Sequence, residues 1–365
     1  MDTIKASDPK YKQTKQYIFN LINDNKLLPN QAIPSETELS KILGFSLITT
    51  RKALNELVNE HVIYRVQGKG SFVAEKKMTS INDVSKRLVV LVLSTSNESH
   101  DSSLMKIIKG LQSYLKKCNY SLIVECTEQD VEKERLIIDD LISKGIEGIL
   151  LFSTNPESNL ISIKRMRDLR IPFVMLDRGI DEYPVNFVGC NNFSGGFSAT
   201  EHLLKLGHRN ISFIAYNFFL SSEKERYQGY CKALSSYSIN IDPKIVFLNY
   251  ELDFLKLSAM IKKGEITAIF AANDWRAIEI IDLCIANDIN IPTDVSIIGF
   301  DDSESTKYAK VSLSTVKQDF IRLGHEAAKN LISQINNCNL ECKIVMLPTE
   351  LIIRDSVVYN KNIKL

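Results

Sequence analysis

Two groups of side chains in this 365-residue chain have types and spacings that could do chemistry, and in both the chemistry is recognition rather than bond making. The first group is Ser46, Thr49, Thr50 and Arg51, followed downstream by Gly68-Lys69-Gly70. Arg51 can hold a guanine edge bidentately or grip a phosphate. The three hydroxyls fall near a helix N-terminus, which itself attracts phosphate. Gly68 and Gly70 let a backbone approach a groove closely, and Lys69 adds charge there. The second group is Ser94-Thr95-Ser96, Asp177-Arg178, Arg226, Asn273-Asp274 and Asp301-Asp302, most of them directly after an apolar run. A sugar hydroxyl both donates and accepts, so converging carboxylates, amides and guanidinium groups suit a polyhydroxyl ligand. Tyr250, Phe254 and Trp275 are the aromatic candidates to stack on a sugar ring. Taken singly, Asp274 and Asp302 fit a helix cap or a surface ion pair better.

The first group needs a helix pair to carry it. Pro34-Ser35-Glu36-Thr37-Glu38 has the form of a helix start, with Ser35 and Glu38 spaced as a capping box. Leu39, Ile42 and Leu43 then share one face, and Gly44 stops the helix. Ser46 can cap a second helix whose buried stripe is Ala53, Leu54, Leu57 and Val58. Residues 64–67 and 71–73 have the form of short strands around the glycine turn. An earlier helix, over 11–25, places Tyr17, Ile18, Leu21 and Ile22 at helical spacing. This order is a helix-turn-helix with a wing, in which the second helix enters a major groove. On chemistry alone, an ordinary surface helix pair with a hairpin fits about as well.

The second group needs a sheet. Leu88 to Leu93 is a continuous apolar run, the mark of a strand buried on both faces. Helical and strand patterns alternate from there to residue 176, and the alternation restarts at about residue 195. Two α/β lobes in one chain make a clamp, with the cleft where loops leave the carboxyl ends of the strands. The expected organisation is residues 1–75, a polar linker over 76–87, and a body over 88–356 whose second lobe starts near 186.

Composition narrows the function classes. Net charge is +1, but residues 1–77 carry 12 basic and 8 acidic side chains while the remainder carries 33 and 36. A basic head on a slightly acidic body suits a nucleic-acid reader joined to something else. The seven cysteines are odd in number and form no Cys-x-x-Cys pair, so free thiols in a reducing compartment and no metal site are expected. The start of the chain lacks a signal-peptide core and no apolar run approaches membrane-spanning length, which points to the cytoplasm. The five histidines are scattered, and no P-loop, Gly-x-Ser-x-Gly, His-Glu-x-x-His or dinucleotide glycine fingerprint occurs. No enzymatic activity and no cofactor are expected.

Ordered motifs sharpen both halves. Tyr11, Leu28-Pro29-Asn30, Pro34-Ser35-Glu36, Thr49 to Leu54 and Gln67 to Val73 together resemble the GntR-type winged helix over roughly residues 9 to 75. The resemblance matches Arg51 and Gln67 to DNA-contact positions; together with the chemistry above, the candidate DNA contacts are Lys10, Ser35, Glu36, Ser46, Thr49, Thr50, Arg51, Gln67, Gly68, Lys69 and Gly70. The family commonly has Arg after the Ser at the start of the recognition helix, and here Leu47 stands there, so an operator sequence does not carry over.

Residues 88 to 356 resemble the LacI/GalR-type effector domain, which is related to periplasmic sugar-binding proteins. The matching stretches are Ala199 to Leu204 with Gly207-His208-Arg209, Arg226 to Tyr230, Thr267 to Asp274, Ile291 to Asp302 and Leu313 to Val316. The resemblance places effector ligands at Asp177, Arg226, Asn273 and Asp301, to which the strand-end reading adds Ser96 and Arg178. It implies three passages of the chain between the lobes, pairing of two bodies as a homodimer, and structural roles for His208 and Asn191. The pairing of such a head with such a body resembles the arabinose repressors. A dimeric regulator is therefore expected, reading a near-palindromic operator and released by a small sugar such as L-arabinose. A cytoplasmic sugar-binding protein of transport type, or a regulator answering to a sugar phosphate or a corepressor, remains the alternative.

Overall fold

The computed structural model describes residues 9–23, 26–28, 30–59, 62–66, 69–74, 87–95, 102–180, 183–216, 218–337 and 341–360. Most of the expected linker, together with Gln67, Gly68 and Ser96, lies outside them. The chain divides into two compact units, Met1–Val84 and Ser85–Leu365.

The head has three helices, α1 (Lys10–Asn23), α2 (Glu36–Leu43) and α3 (Leu47–Asn59), then strands β1 (Ile63–Val66) and β2 (Gly70–Val73). Both halves of the capping box form at the start of α2: the Glu38 amide donates to Ser35 Oγ at 3.3 Å, and the Ser35 amide donates to Glu38 Oε2 at 2.8 Å. Gly44 ends α2 at φ 66, a left-handed position that a glycine takes without steric cost. The two strands pair antiparallel from Ile63 with Val73 to Val66 with Gly70, as a wing. Ile18, Ile33, Leu39, Leu54, Leu57, Ile63 and Val73 close one small core under all five elements.

The body contains two six-stranded sheets. The first lobe holds β3 (Leu88–Leu93), α4 (Ser102–Leu115), β4 (Ser121–Cys126), α5 (Val131–Ser143), β5 (Gly148–Phe152), α6 (Leu160–Asp168), β6 (Phe173–Leu176) and β7 (Phe187–Cys190). The second holds α7 (Asn192–Lys205), β8 (Ile211–Ile214), α8 (Ser221–Ser236), β9 (Val246–Phe247), α9 (Phe254–Lys262), β10 (Ala268–Ala271), α10 (Asp274–Ala286), β11 (Ser296–Asp301) and β12 (Ser314–Lys317). Then α11 (Phe320–Asn336) and β13 (Ile344–Leu347) return to the first lobe, and β14 (Glu350–Ile352) to the second. The chain therefore passes between the lobes three times. Strand order is β13-β7-β6-β5-β3-β4 in the first sheet, all parallel, and β14-β12-β11-β10-β8-β9 in the second, where only β14 runs antiparallel.

The second lobe does not start near 186 as expected. Residues 187–190 form β7, which pairs with β6 and β13 in the first sheet, and the crossing comes at Asn191. The break between the apolar runs at 173–176 and 187–190 is a loop within one sheet.

The continuous apolar run of β3 feeds two cores at once. Val89, Leu91 and Leu93 pack on one face with α4 and α11, and Val90 and Val92 on the other with α5 and α6. Each lobe also has one pair of helices in close backbone contact. A methyl group at Gly110 or Gly324 would collide with the opposite backbone of the α4/α11 pair, and one at Gly196 or Gly229 with that of the α7/α8 pair. The second contact fixes where α8 presents Arg226, because the atom met at Gly196 is the Arg226 carbonyl oxygen.

Candidate nucleic-acid interface and candidate ligand cleft

In the head, α3 buries Thr50, Ala53, Leu54 and Leu57 and leaves Ile48, Arg51, Lys52 and Asn55 exposed. Residues three and four apart share a helix face, so these four form one outward stripe. Ser46 caps α3: its Oγ accepts from the Thr49 amide at 3.3 Å and lies 2.9 Å from Thr49 Oγ1. Glu36 joins the two candidate reading elements. Its Oε2 accepts from Arg51 Nε at 2.9 Å on α3, and its Oε1 from Arg65 Nη2 at 3.1 Å on the wing strand β1. Held through Nε, the Arg51 guanidinium is oriented while its side chain stays 64% exposed. Lys10 lies over the Phe45 ring at 5.6 Å with its charge at the surface, and Lys69 and Gly70 are exposed at the wing tip.

Two expected contacts need correction. Thr50 is fully buried, and its hydroxyl donates to the Leu47 and Glu36 carbonyls at 3.0 and 3.3 Å, so it ties α3 to α2 instead of facing outward. The one-face count places it next to Ala53 and Leu54, on the core side. Ser35 is exposed, but its hydroxyl donates to Glu38 Oε2 at 2.8 Å and accepts from the Glu38 amide, so it serves the helix start. Arg65 was not among the expected residues. Its signal was its type and place, a basic side chain on the strand that leads into the glycine turn; strict alternation from the buried Ile63 would have put it inside, whereas it is exposed.

In the body, the strand-end residues of the two lobes come together. Asp177 and Arg178 leave the end of β6 in the first lobe. Arg226 on α8, Asn273 after β10 and Asp301 at the end of β11 belong to the second. Arg226 is 4% exposed and lies 3.8 Å from the Phe300 ring centre. It donates to Asn192 Oδ1 at 2.9 Å and to the Ala272 carbonyl at 2.5 Å, and pairs with Asp301 Oδ1 at 3.4 Å. Asn273 caps α10 by accepting from the Arg276 amide at 2.9 Å and donates to Glu223 Oε1 at 3.3 Å. Arg178 is half-buried, lies over the Phe152 ring and donates to the Ser153 carbonyl at 2.7 Å. Burial lowers its pKa, and the charges of Asp177, Glu223 and Glu134 oppose that shift.

Asp177 at φ 62 and Asp301 at φ 114 both hold left-handed backbone, which non-glycine residues adopt mainly in tight, over-determined sites. Burial, with the charges of Asp177 and Asp301, pushes the nearby Cys190 thiol up to about 12, and the Arg226 charge opposes that shift. Among the described residues, three buried polar atoms here have no hydrogen-bond partner: Asp177 Oδ1, Arg178 Nε and Gln318 Oε1. Buried polar groups are normally paired, so orphaned ones from both sides of a cleft are what a ligand would satisfy.

The lobes also touch directly. The Gly179 amide donates to Ser221 Oγ at 2.9 Å, Lys224 pairs with Glu157 at 3.1 Å, and the Glu304 amide donates to Ser102 Oγ at 3.3 Å. Of the aromatic candidates, Tyr250 is exposed and lies 5.4 Å from Tyr216 between ring centres, whereas Phe254 packs into the core and Trp275 is half exposed.

Asp274 is neither a cap nor a surface ion pair. It is fully buried, accepts from Thr315 Oγ1 at 2.6 Å and from the Ser303 amide at 2.8 Å, and burial raises its pKa to about 7. Asp302 does form an ion pair, with Arg354 at 2.5 Å. Gln318, Glu223 and Ser221 were missed. Gln318 follows the end of β12, so the strand-end rule that found Asp301 could have found it. Its Nε2 donates to Asp301 Oδ1 at 2.7 Å. His208 is structural, within 3.0 Å of Thr267 Oγ1 and of the Val358 carbonyl, and Asn191 caps α7.

Comparison with known proteins follows the same division. The profile of the bacterial regulatory proteins of the gntR family matches residues 10–73, and that of the periplasmic binding protein-like domain matches residues 200–357. An arabinose metabolism transcriptional repressor of Halalkalibacterium halodurans is 30% identical over 341 residues, which is 90% of each chain. Another, of Geobacillus stearothermophilus, is 28% identical over 369 residues, covering 95% of this chain and 97% of the relative. Among solved structures, the transcriptional regulator CelR in complex with cellobiose superposes with a TM-score of 0.66 at 22% identity, covering 89% of this chain and all of that one, and so shares the fold. The chain belongs to the family of the arabinose metabolism transcriptional repressors, a gntR-type winged helix joined to a LacI-type two-lobed body.

Proposed function

We propose that this protein is a cytoplasmic transcriptional repressor that binds operator DNA through its winged helix and is released when a small neutral sugar enters the cleft of the body. L-Arabinose is the first candidate, since that sugar's metabolism names the relatives. The observation that carries the reading is the set of orphaned buried polar atoms, Asp177 Oδ1, Arg178 Nε and Gln318 Oε1, placed among Arg226, Asn273 and Asp301. Acceptors and donors so mixed suit hydroxyls that do both. Charge favours a neutral ligand over a sugar phosphate. Asp177, Glu223, Asp301 and Glu134 outnumber Arg178 and Arg226 around the cleft, and Arg226 is already committed to Asp301.

Two chains pair through their bodies in this reading, and two heads read a near-palindrome with half-site centres about 34 Å apart or a multiple of that. The three crossings between the lobes act as hinges. Sugar bridging Asp177 and Arg178 to Arg226 and Asp301 favours one lobe arrangement, and operator affinity shifts by the ratio of sugar affinities in the two arrangements. The role of the cleft residues is binding, with no bond made or broken.

Thermal unfolding of the full chain against pentoses, hexoses, sugar acids and sugar phosphates tests the cleft. A ligand at about 100 times its dissociation constant adds roughly 2.7 kcal/mol. A shifted midpoint with a neutral sugar and none with its phosphate supports the reading. A shift with phosphates alone would overturn the choice of ligand.

A further inference from the structure

The outward stripe of α3 opens with hydrocarbon. Leu47 is 46% and Ile48 81% exposed, side by side at the first turn of the helix. Neither belongs to the core that closes the head. Ile48 stands one turn before Arg51 and Lys52 and two turns before Asn55, on the same face, so it shares whatever surface those polar residues meet. Next to it on the same helix start are the hydroxyls of Ser46 and Thr49, and one turn on are the exposed cations Arg51 and Lys52, groups complementary to phosphate. An exposed aliphatic tip beside cations and hydroxyls suits a partner that is anionic at its edges and apolar at one point on its floor.

The major groove of DNA has that character. Its base edges present acceptors, donors and one apolar group, the 5-methyl of thymine. Resting on the proposal that α3 enters this groove, we infer that Ile48, flanked by Leu47, reads thymine through its 5-methyl group, a specificity contact made by hydrocarbon where an arginine would read guanine. Arg51 then supplies the polar reading one turn further on, and Lys10, Lys52 and Lys69 hold the backbone. The operator half-site carries thymine where the first turn of α3 enters, and its sequence there departs from operators read by an arginine at position 47.

The test uses the full-length protein and a duplex enriched by it from a random-sequence pool. Each thymine of one half-site is replaced in turn by deoxyuridine, which removes the methyl group and leaves the hydrogen-bonding edge unchanged. Affinity is expected to fall about fourfold for each methyl that Ile48 or Leu47 covers, and to stay level elsewhere. In the Ile48→Ser variant, thymine and uracil duplexes are expected to bind alike at that position, with the salt dependence of binding retained. Leu47→Ser is the second variant, and an unchanged unfolding midpoint shows that the heads remain folded. Equal binding of thymine and uracil duplexes at every position would overturn the inference while leaving DNA reading by the head intact. Ile48→Ser that changes the oligomeric state and not the thymine-to-uracil ratio would make the patch a contact between heads, and would also overturn it. Failure of the pool to enrich any sequence would instead remove the DNA-reading proposal on which the inference stands.

Discussion

Replacing Asp177 by Asn separates binding from folding at the cleft. The residue is 9% exposed, and its Oδ1 has no hydrogen-bond partner among the described residues. The backbone at φ 62 suits Asn as well as Asp, and the amide proton that anchors it to the Val188 carbonyl at 2.9 Å is untouched. Asp177→Asn therefore keeps the shape and removes the charge. A hydrogen bond from a sugar hydroxyl to a carboxylate is worth about 1.5–3 kcal/mol, which corresponds to one to two powers of ten in affinity. Arg178 loses one compensating charge but keeps Glu223 and Glu134 nearby. The ligand-free unfolding midpoint should accordingly move by less than about 4 °C in a chain of this size. Calorimetric titration of wild type and variant with L-arabinose reads the affinity, and ligand-free unfolding reads the fold. An unchanged dissociation constant would refute the assignment of Asp177. Collapse of the fold would show that its charge is needed internally, contrary to the orphaned oxygen.

Arg226→Ala behaves differently. Arg226 is committed to Asn192, the Ala272 carbonyl and Asp301, so its loss should lower both the unfolding midpoint and sugar affinity, seen in the same two assays. Arg51→Ala should cost about 1–3 kcal/mol of specific operator binding, measured by anisotropy, while nonspecific binding changes little. Gly196→Ala should destabilise the body by roughly 1–3 kcal/mol in denaturant unfolding, because the added methyl meets the Arg226 carbonyl and forces α7 from α8. Asp274 gives the body a pH dependence. Its carboxyl rises from 3.8 to about 7 on folding, so between those values the folded state holds a proton that the unfolded chain has released. Its contribution to stability is greatest below pH 3.8 and declines as pH rises to 7. Unfolding midpoints of Asp274→Asn across that range should fall less with pH than those of the wild type.

Much of this architecture was legible because burial imposes short-range patterns. The run from Leu88 to Leu93 is apolar at every position because both faces of β3 are covered, and the Ser35/Glu38 spacing marks a helix start through its own hydrogen bonds. What failed depended on three-dimensional neighbours. Thr50 has the chemistry of a DNA contact, and only its place on the α2 side of α3 shows that its hydroxyl is spent internally. Asp274 follows a strand end, as the cleft residues do, yet Thr315 and Ser303 enclose it from 41 and 29 residues away. The lobe boundary falls at Asn191 and not near 186 because a four-residue strand carries no mark of the sheet it joins; the pairing of β7 with β13, more than 150 residues later, decides that. Glu223, on a helix and not at a strand end, became visible as a cleft residue only once Asn273 was seen against it.

Operator binding by the full-length protein, titrated by fluorescence anisotropy with and without saturating L-arabinose, tests the central claim most directly. Coupling of 1–3 kcal/mol between the two sites would appear as a roughly 5- to 150-fold loss of operator affinity on adding sugar. The account predicts that loss, and predicts that Asp177→Asn shifts the sugar concentration needed upward by one to two powers of ten. Tight sugar binding with unaltered operator affinity would contradict it, since the cleft and the winged helix would then be uncoupled.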